Sequence, residues 1–114
     1  GRRAGYEAGG RDRLIADAFA VEQAGACAVV IAGVPPDLAA EITEKLSIPT
    51  IGIGAGAGCD GQVLVLHDLL GLTERAFTFT KRYADLSTAT VEATSTFIAE
   101  VRSGVWPDEA HSFA

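Results

Sequence analysis

The sequence predicts an α/β fold organised around a parallel sheet. Three short apolar runs are typical of strands covered on both faces: Cys27–Ile31, Ile48–Ile53 and Gln62–Leu66. A segment with apolar residues at helical spacing precedes each of the first two runs, and short links join helix to strand. This alternation indicates parallel strands connected by right-handed crossovers. No helical pattern separates the second run from the third, so we expect a short helical turn within Ala57–Gly61.

Composition and charge narrow the class of protein. The chain has 114 residues, enough for one domain, of which 48% are hydrophobic and 7% aromatic. Its net charge of −6 argues against nucleic acid and anionic membranes as partners, because binding phosphate requires clustered Lys and Arg. No run reaches the roughly 20 apolar residues of a membrane-spanning helix. Cys27 and Cys59 lack the spacing of a metal site or a disulfide framework, and a cytoplasmic protein is expected.

The first two helices are predicted from their apolar faces. Residues 1–11 form a loose lead-in, and a helix is expected from Asp12 until Gly25. Its apolar residues fall on one face, which extends as far as Val21: Leu14, Ile15, Ala18, Phe19 and Val21. A second helix is expected over Asp37–Leu46, with Pro36 in the first turn, where its missing N–H costs nothing. Its apolar residues are four apart and form one stripe: Leu38, Ile42 and Leu46.

The C-terminal third is less regular. Short turns are expected at Leu69–Leu72 and Phe77–Tyr83, followed by a helix over Ser87–Val101 that Gly104 ends. The candidate apolar face of this helix consists of Val91, Phe97, Ile98 and Val101. The tail carries two large aromatic residues that we expect to be covered by other groups, Trp106 and Phe113.

The glycine-rich segment Ile48–Gly61 organises the chain, and three interpretations of it remain open. Its glycines allow sharp turns and a close approach by another backbone or a ligand. A phosphate cradle for a dinucleotide would match Gly52-x-Gly54-x-x-Ala57 loosely. That motif requires a helix directly after the glycines, whereas a strand-like run follows here. The other interpretations are a tight connection without a ligand and a loop on the catalytic rim of a βα barrel.

Several segments match a known family. In chain order they are Gln23-Ala-Gly25, Val34-Pro35, Ile51-Gly-Ile-Gly-Ala-Gly56, Cys59-Asp-Gly-Gln62, His67-Asp68 and His111-Ser-Phe113. Taken together, these segments resemble ketopantoate hydroxymethyltransferase. The resemblance covers about residues 12–114, and the glycine loop and the His-Ser-Phe ending are its most specific parts.

The resemblance implies a partial TIM (β/α)8 barrel, holding roughly the last three parallel strands, their flanking helices and the C-terminal helix. It implies a step of pantothenate biosynthesis in which the enolate of 3-methyl-2-oxobutanoate, a 2-oxo acid chelated to Mg²⁺, takes a hydroxymethyl group from 5,10-methylenetetrahydrofolate. The rim of the substrate pocket would include Gly54, Ala55 and Gly56. The family's metal-binding acids lie in its N-terminal half, outside the matched region. Its catalytic carboxylate falls at the position of Ala32, whose methyl group cannot transfer a proton.

Other ionisable residues have structural interpretations that we favour over catalytic ones. Asp60 and Asp68 could face the active end of the strands, although Asp60 also suits a turn. His67 beside Asp68 suggests a proton relay, but a histidine after an apolar strand is more often structural. His111 and Ser112 resemble a serine–histidine pair only in sequence, because adjacent residues rarely adopt the geometry of nucleophile and base.

Three hypotheses about function follow. The first is a hydroxymethyltransferase-like half barrel that by itself binds no Mg²⁺ tightly and is inactive, so whether it is an enzyme stays open. The second is a non-catalytic assembly module. Strands taken out of a barrel expose two sheet edges and an apolar face, which favours self-association or pairing with a barrel-completing chain. The third is a truncated or decayed chain without a stable fold.

Overall fold

The helices and strands occur in the predicted order. The computed structural model describes residues 9–114, and most of the expected lead-in lies outside the described residues. The chain divides into two compact units. The first runs to Leu64 and includes Thr78–Thr80, and the second consists of Val65–Phe77 and Lys81–Ala114.

Helix α1 (Gly10–Gln23) begins at Gly10 rather than at Asp12, so the last two residues of the expected lead-in are helical. The helix is followed by Gly25, whose φ of 97° ends it as predicted. Three members of the predicted apolar face pack against the core: Leu14, Ile15 and Ala18. The other two members, Phe19 and Val21, are exposed instead, so the covered face is narrower than the predicted one.

Helix α2 (Pro36–Lys45) confirms its sequence pattern. Pro36 lies in the first turn, and Leu46 follows the helix in an extended conformation. The predicted stripe is buried throughout, with 1% exposure for Leu38, 3% for Ile42 and 8% for Leu46. Four-residue spacing places these side chains above one another on the face that meets the sheet.

The sheet has three parallel strands, as predicted. Strands β1 (Val29–Ala32), β2 (Thr50–Ile53) and β3 (Gly61–Gln62) lie in the order β1-β2-β3. In the register of β1 on β2, Val29 lies opposite Thr50 and Ala32 opposite Ile53. The carboxyl ends of β1 and β2 therefore meet at one edge of the sheet.

The first strand is shorter than the run that predicted it. The Val29 N–H donates to the carbonyl of Pro49 at 3.0 Å, and Pro49 has no N–H with which to continue the ladder. Cys27 therefore lies outside the strand and is exposed, so its predicted place within the strand is wrong.

The third strand was also predicted too long. The Val63 N–H still donates to the carbonyl of Gly52 at 3.0 Å, but β2 ends one residue later. Gly54, at φ 60°, turns the chain away at that point. Val65 then has no partner strand among the described residues, and Leu66 begins a helix.

The core of the first unit lies between the helices and the sheet. Its buried apolar side chains are Ala18, Ile31, Val34, Leu38, Ala39, Ile42, Leu46 and Ala55. The carboxylate of Glu22 at the end of α1 accepts hydrogen bonds from the amides of Ser47 at 2.6 Å and Ile48 at 3.1 Å. This contact fixes the entry of the chain into β2.

The segment between β2 and β3 returns to the other end of the sheet through turns, and the helical turn expected within Ala57–Gly61 is absent from it. Asp60 closes the return, because its carboxylate accepts a hydrogen bond from the Thr50 amide at 2.9 Å. The Asp60 amide donates in turn to the Thr50 hydroxyl at 3.1 Å. The glycines are followed by the parallel strand β3 rather than by a helix or an antiparallel strand, which agrees with the parallel-sheet prediction.

The second unit contains a short helix α3 (Leu66–Leu69), a long helix α4 (Leu86–Ser103) and a 3₁₀ turn (Glu109–His111). The Asp85 carboxylate caps α4 by accepting from the Thr88 amide at 3.3 Å and the Thr88 hydroxyl at 2.8 Å. Gly104, at φ 79°, ends the helix as predicted.

Helix α4 differs from the sequence prediction in its packing. None of its residues is buried, and the predicted apolar face is exposed: Val91, Phe97, Ile98 and Val101. In the tail, the ring of Trp106 packs on that of His111 at 4.8 Å, whereas Phe113 is uncovered. Within residues 9–114, no helix combines the length and apolar character needed to cross a membrane.

Candidate functional site

The candidate site is a cavity of about 460 Å³ at the carboxyl ends of β1 and β2. Its lining residues come from the ends of the two strands and from the segment Thr78–Thr80: Ala32, Gly33, Ile53, Gly54, Thr78 and Phe79. Active sites of βα barrels lie at this end of the strands. The volume falls within the range of about 300–1,000 Å³ that is usual for small-molecule sites.

The close approach of Phe79 to Gly54 forms one wall of the cavity. A Cβ atom placed on Gly54 would lie 2.7 Å from the Cβ of Phe79 and 3.1 Å from its Cγ. Gly54 also has a φ of 60°, a conformation that favours glycine. Glycine at this position therefore serves both the turn and the contact with the aromatic ring.

The three predicted rim residues occupy different environments. Gly54 lines the cavity, Ala55 is fully buried in the core of the first unit, and Gly56 lies against Pro36 of α2. A Cβ atom on Gly56 would lie 2.6 Å from the Cβ of Pro36. Ala55 and Gly56 thus hold the loop on α2, and Gly54 faces the open space.

Ala32 lines the cavity at the end of β1, beside Gly33. It is exposed, and its methyl group stands at the position where the resemblance places the family's carboxylate. None of the described residues that line the cavity carries an ionisable side chain, and the hydroxyl of Thr78 is the one polar side-chain group among them. The described walls of the site can pack against a ligand but cannot transfer a proton to or from it.

The acids near the glycine loop are occupied in structural contacts. Asp60 lies beside Thr50, at the amino end of β2 and therefore at the end of the sheet opposite the cavity. Asp37, in the first turn of α2, accepts a hydrogen bond from the Arg11 guanidinium at 3.2 Å. The possibility that Asp60 faces the active end is thus wrong, and its turn role is confirmed.

The charges between α1 and α2 form a small network on the surface. Arg11 also pairs with Glu41, which pairs with Lys45 at 3.0 Å. The hydrogen bond from Lys45, followed by the charge of Arg11, holds the pKa of the Glu41 carboxyl below its ordinary value of 4.5. This network joins the two helices and lies outside the cavity lining.

The histidines are also placed outside the cavity lining. His67 is exposed, and the carboxylate of its neighbour Asp68 accepts a hydrogen bond from the Thr73 hydroxyl at 2.6 Å. The Nδ1 atom of His111 lies 2.6 Å from the Asp108 carboxylate, and the hydroxyl of Ser112 donates to the Asp108 carbonyl at 2.7 Å. The serine and histidine at the C-terminus therefore both contact Asp108, which supports a structural role for them.

The cavity residues do not fit a Mg²⁺ site. Magnesium is held by oxygen ligands, chiefly carboxylates, and the described lining residues offer none. Across residues 9–114, no three His, Cys, Asp or Glu side chains are grouped in a way that could hold a metal ion.

The sequence prediction missed Thr78 and Phe79 as lining residues. Both fall within Phe77–Tyr83, where only irregular turns were expected. No local pattern distinguishes Phe79 from Phe77, because the contact with Gly54 joins positions far apart in the chain.

Comparison with known proteins gives the family. The parallel sheet with its flanking helices, and the cavity at the carboxyl ends of its strands, place the chain in the α/β class. Residues 2–109 match the family model of ketopantoate hydroxymethyltransferase. The chain therefore belongs to the ketopantoate hydroxymethyltransferase family.

Curated relatives support the same assignment at high identity. The 3-methyl-2-oxobutanoate hydroxymethyltransferase of Trichlorobacter lovleyi is 54% identical over 118 aligned positions, which cover 99% of this chain and 44% of that protein. The enzyme of the same name from Geobacter metallireducens is 55% identical, with 99% and 45% covered. That from Citrifermentans bemidjiense is 59% identical, with 90% and 39% covered. The chain thus spans less than half the length of these relatives.

Proposed function

We propose that residues 12–114 form the C-terminal section of a ketopantoate hydroxymethyltransferase-type (β/α)8 barrel and contribute one wall of its 2-oxo acid pocket. The parallel order of β1, β2 and β3 supports this placement, as does the cavity at their carboxyl ends. In this proposal the remaining strands, the Mg²⁺ ligands and the groups that bind 5,10-methylenetetrahydrofolate come from outside residues 12–114.

We further propose that the chain alone does not catalyse hydroxymethyl transfer. The observation that carries this proposal is the methyl group of Ala32 in a cavity whose described walls hold no ionisable side chain. Forming an enolate requires a base near the substrate, and general acid–base catalysis contributes about 10²–10⁴-fold to rate. Neither Ala32 nor the adjacent Gly33 can supply that base.

Two measurements on the chain test this function. Isothermal titration with Mg²⁺ is expected to show no binding at micromolar concentrations. An assay with 3-methyl-2-oxobutanoate and 5,10-methylenetetrahydrofolate is expected to show no turnover. Turnover by the chain alone would contradict the proposal.

A complementation experiment tests the role of position 32. The chain would be combined with the N-terminal section of the Trichlorobacter lovleyi relative, which supplies the part that this chain does not cover. We expect Ala32→Glu to raise turnover of the complex by about 10²-fold or more. Ala57→Glu, on the exposed return segment outside the cavity lining, is the matched control and should leave turnover unchanged.

An assembly module is the second candidate function, and it is favoured by two surfaces. In a parallel ladder every second residue bonds to the same neighbour, and Val29 and Gly33 donate to the β2 side. Val30 and Ala32 must therefore direct their backbone groups to the other edge of β1, where no strand lies among the described residues. Such an edge can pair with another chain. The exposed apolar face of α4 is the second surface.

Sedimentation at micromolar concentration tests the assembly function. A dimer or larger species is expected, and Phe97→Glu on the apolar face of α4 should shift the distribution toward monomer. Thr96→Glu is the control, because it places the same charge on the opposite side of α4. A stable wild-type monomer would count against self-association.

A further inference from the structure

The segment Thr78–Thr80 packs with the first unit, although the residues on both sides of it in sequence belong to the second. Within the first unit its Phe79 side chain lies against Gly54, and both residues line the cavity. The segment therefore contributes the aromatic wall of a site whose remaining described walls are strand ends.

We propose that Phe79, seated on Gly54, is a specificity-determining residue that limits the size of the aliphatic group this cavity accepts. The proposal rests on the proposed function, in which the cavity receives a small 2-oxo acid. The ligand class is a carbonyl compound that carries a short branched aliphatic group.

The chemistry of the walls supports an aliphatic ligand. Ile53, the methyl group of Ala32 and the ring of Phe79 offer apolar surface, and no described lining residue carries a charge. A pocket of this kind gains affinity from the apolar area that a ligand buries, and it loses affinity when a longer group meets a fixed wall.

The position of the ring is restricted on the side of the strand. Because a Cβ on Gly54 would lie 2.7 Å from the Cβ of Phe79, the two residues are already in contact and the ring cannot retreat toward β2. The ring can move only away from the strand, on the side where Phe79 is half-exposed, and we expect that displacement to disfavour a longer ligand. Removing the ring should therefore relax the size limit without adding any charged or polar contact.

The test compares two 2-oxo acids that differ in chain length, 3-methyl-2-oxobutanoate and 4-methyl-2-oxopentanoate. Each is matched by the uncharged ketone in which a methyl group replaces the carboxylate. Binding is followed by NMR shifts of the Ala32 and Ile53 methyl groups in the wild-type chain, Phe79→Ala, Phe79→Leu and Phe113→Ala. Phe113 is a matched control, because it is fully exposed and lies outside the cavity lining.

We expect the wild-type chain to prefer the shorter acid and the shorter ketone by about tenfold, a typical effect of one methylene group in an apolar pocket. Phe79→Ala should bring this ratio close to one, Phe79→Leu should lower it less, and Phe113→Ala should leave it unchanged. A loss of affinity that is equal for both lengths would indicate a structural role and would overturn the proposal.

The ketones separate this inference from the proposed function. A ratio set by Phe79 for ketones, with no binding of either acid even after the N-terminal section of the Trichlorobacter lovleyi relative and Mg²⁺ are added, would support size selection and contradict the 2-oxo acid function. Binding of both acids with a ratio that does not respond to Phe79 would overturn the size selection alone. If neither series shifts the two methyl groups, the inference is wrong.

Discussion

The hydrogen-bonded chain at the amino end of β2 gives the sharpest stability prediction. The Asp60 amide donates to the Thr50 hydroxyl at 3.1 Å. That hydroxyl lies 2.7 Å from the Thr43 hydroxyl and 3.4 Å from the Asp60 carboxylate, and the shorter distance favours donation to Thr43. The Thr43 hydroxyl donates in turn to the Ala39 carbonyl at 2.8 Å. Thr50 is fully buried, so water cannot readily replace it in this chain.

Thr50→Val keeps the shape of the side chain and removes its hydroxyl. The Asp60 amide then loses its acceptor and Thr43 loses its partner, whereas the bond from the Thr50 amide to the Asp60 carboxylate is retained. Two hydrogen bonds worth about 0.5–1.5 kcal/mol each are lost, so we expect the free energy of unfolding to fall by about 1–3 kcal/mol.

A double-mutant cycle identifies the source of that loss. Thr43→Val should cost less in the Thr50→Val background than in the wild type, with a coupling of about 0.5–1.5 kcal/mol, because the two hydroxyls contact each other. Urea unfolding followed by far-UV circular dichroism measures both quantities. Thr96→Val, on the exposed side of α4 opposite its apolar face, is the control and should change stability by less than about 0.5 kcal/mol. Additive effects of the two substitutions would refute the continuous hydrogen-bonded chain.

Three further predictions concern the helices. Leu38→Ala, at a side chain that is 1% exposed, should destabilise the first unit by about 2–5 kcal/mol in urea unfolding, and a smaller loss would mean that the core is loosely packed. The pKa of Glu41, followed by NMR titration, should lie below 4.5 and should rise in Lys45→Met. Because the pKa is lowered by folding, the stabilisation from the Glu41 carboxylate is present above pH 4.5 and is lost as the pH falls through the folded value. The hydrogen bonds from Thr88 similarly hold the pKa of Asp85 below 3.8. Asp85→Ala should therefore lower the midpoint of thermal unfolding of the chain at neutral pH. Below the folded and unfolded pKa values of Asp85, the difference between the variant and the wild type should shrink.

The helices of the first unit were predictable because their signals are local. Pro36 in a first turn and apolar residues at intervals of four specify α2 without knowledge of the rest of the chain. Gly25 and Gly104 are local signals too, because a glycine with positive φ ends a helix whatever packs against that helix.

The strand limits and the candidate site depend on distant residues and were predicted less well. β1 begins where Pro49 stops its partner, and β3 ends where Gly54 turns β2 away, so neither limit is encoded in its own run. The exposure of α4 also cannot be derived from its own residues. Its apolar pattern predicts burial correctly only when a covering surface is present. Phe79 lines the site because it contacts Gly54, and no local sequence pattern specifies that contact.

Amide exchange at the open edge of β1 tests most directly whether a second chain pairs there and completes a barrel. The amides of Val30 and Ala32 face that edge, whereas the Val29 amide is bonded to β2. Amide exchange of the chain would be measured alone and after mixing with the N-terminal section of the Trichlorobacter lovleyi relative. The account predicts that Val30 and Ala32 exchange freely alone and become protected by about tenfold or more in the mixture, while Val29 changes little. If their exchange stays fast in a complex that has formed, another surface makes the contact and this account of β1 is contradicted.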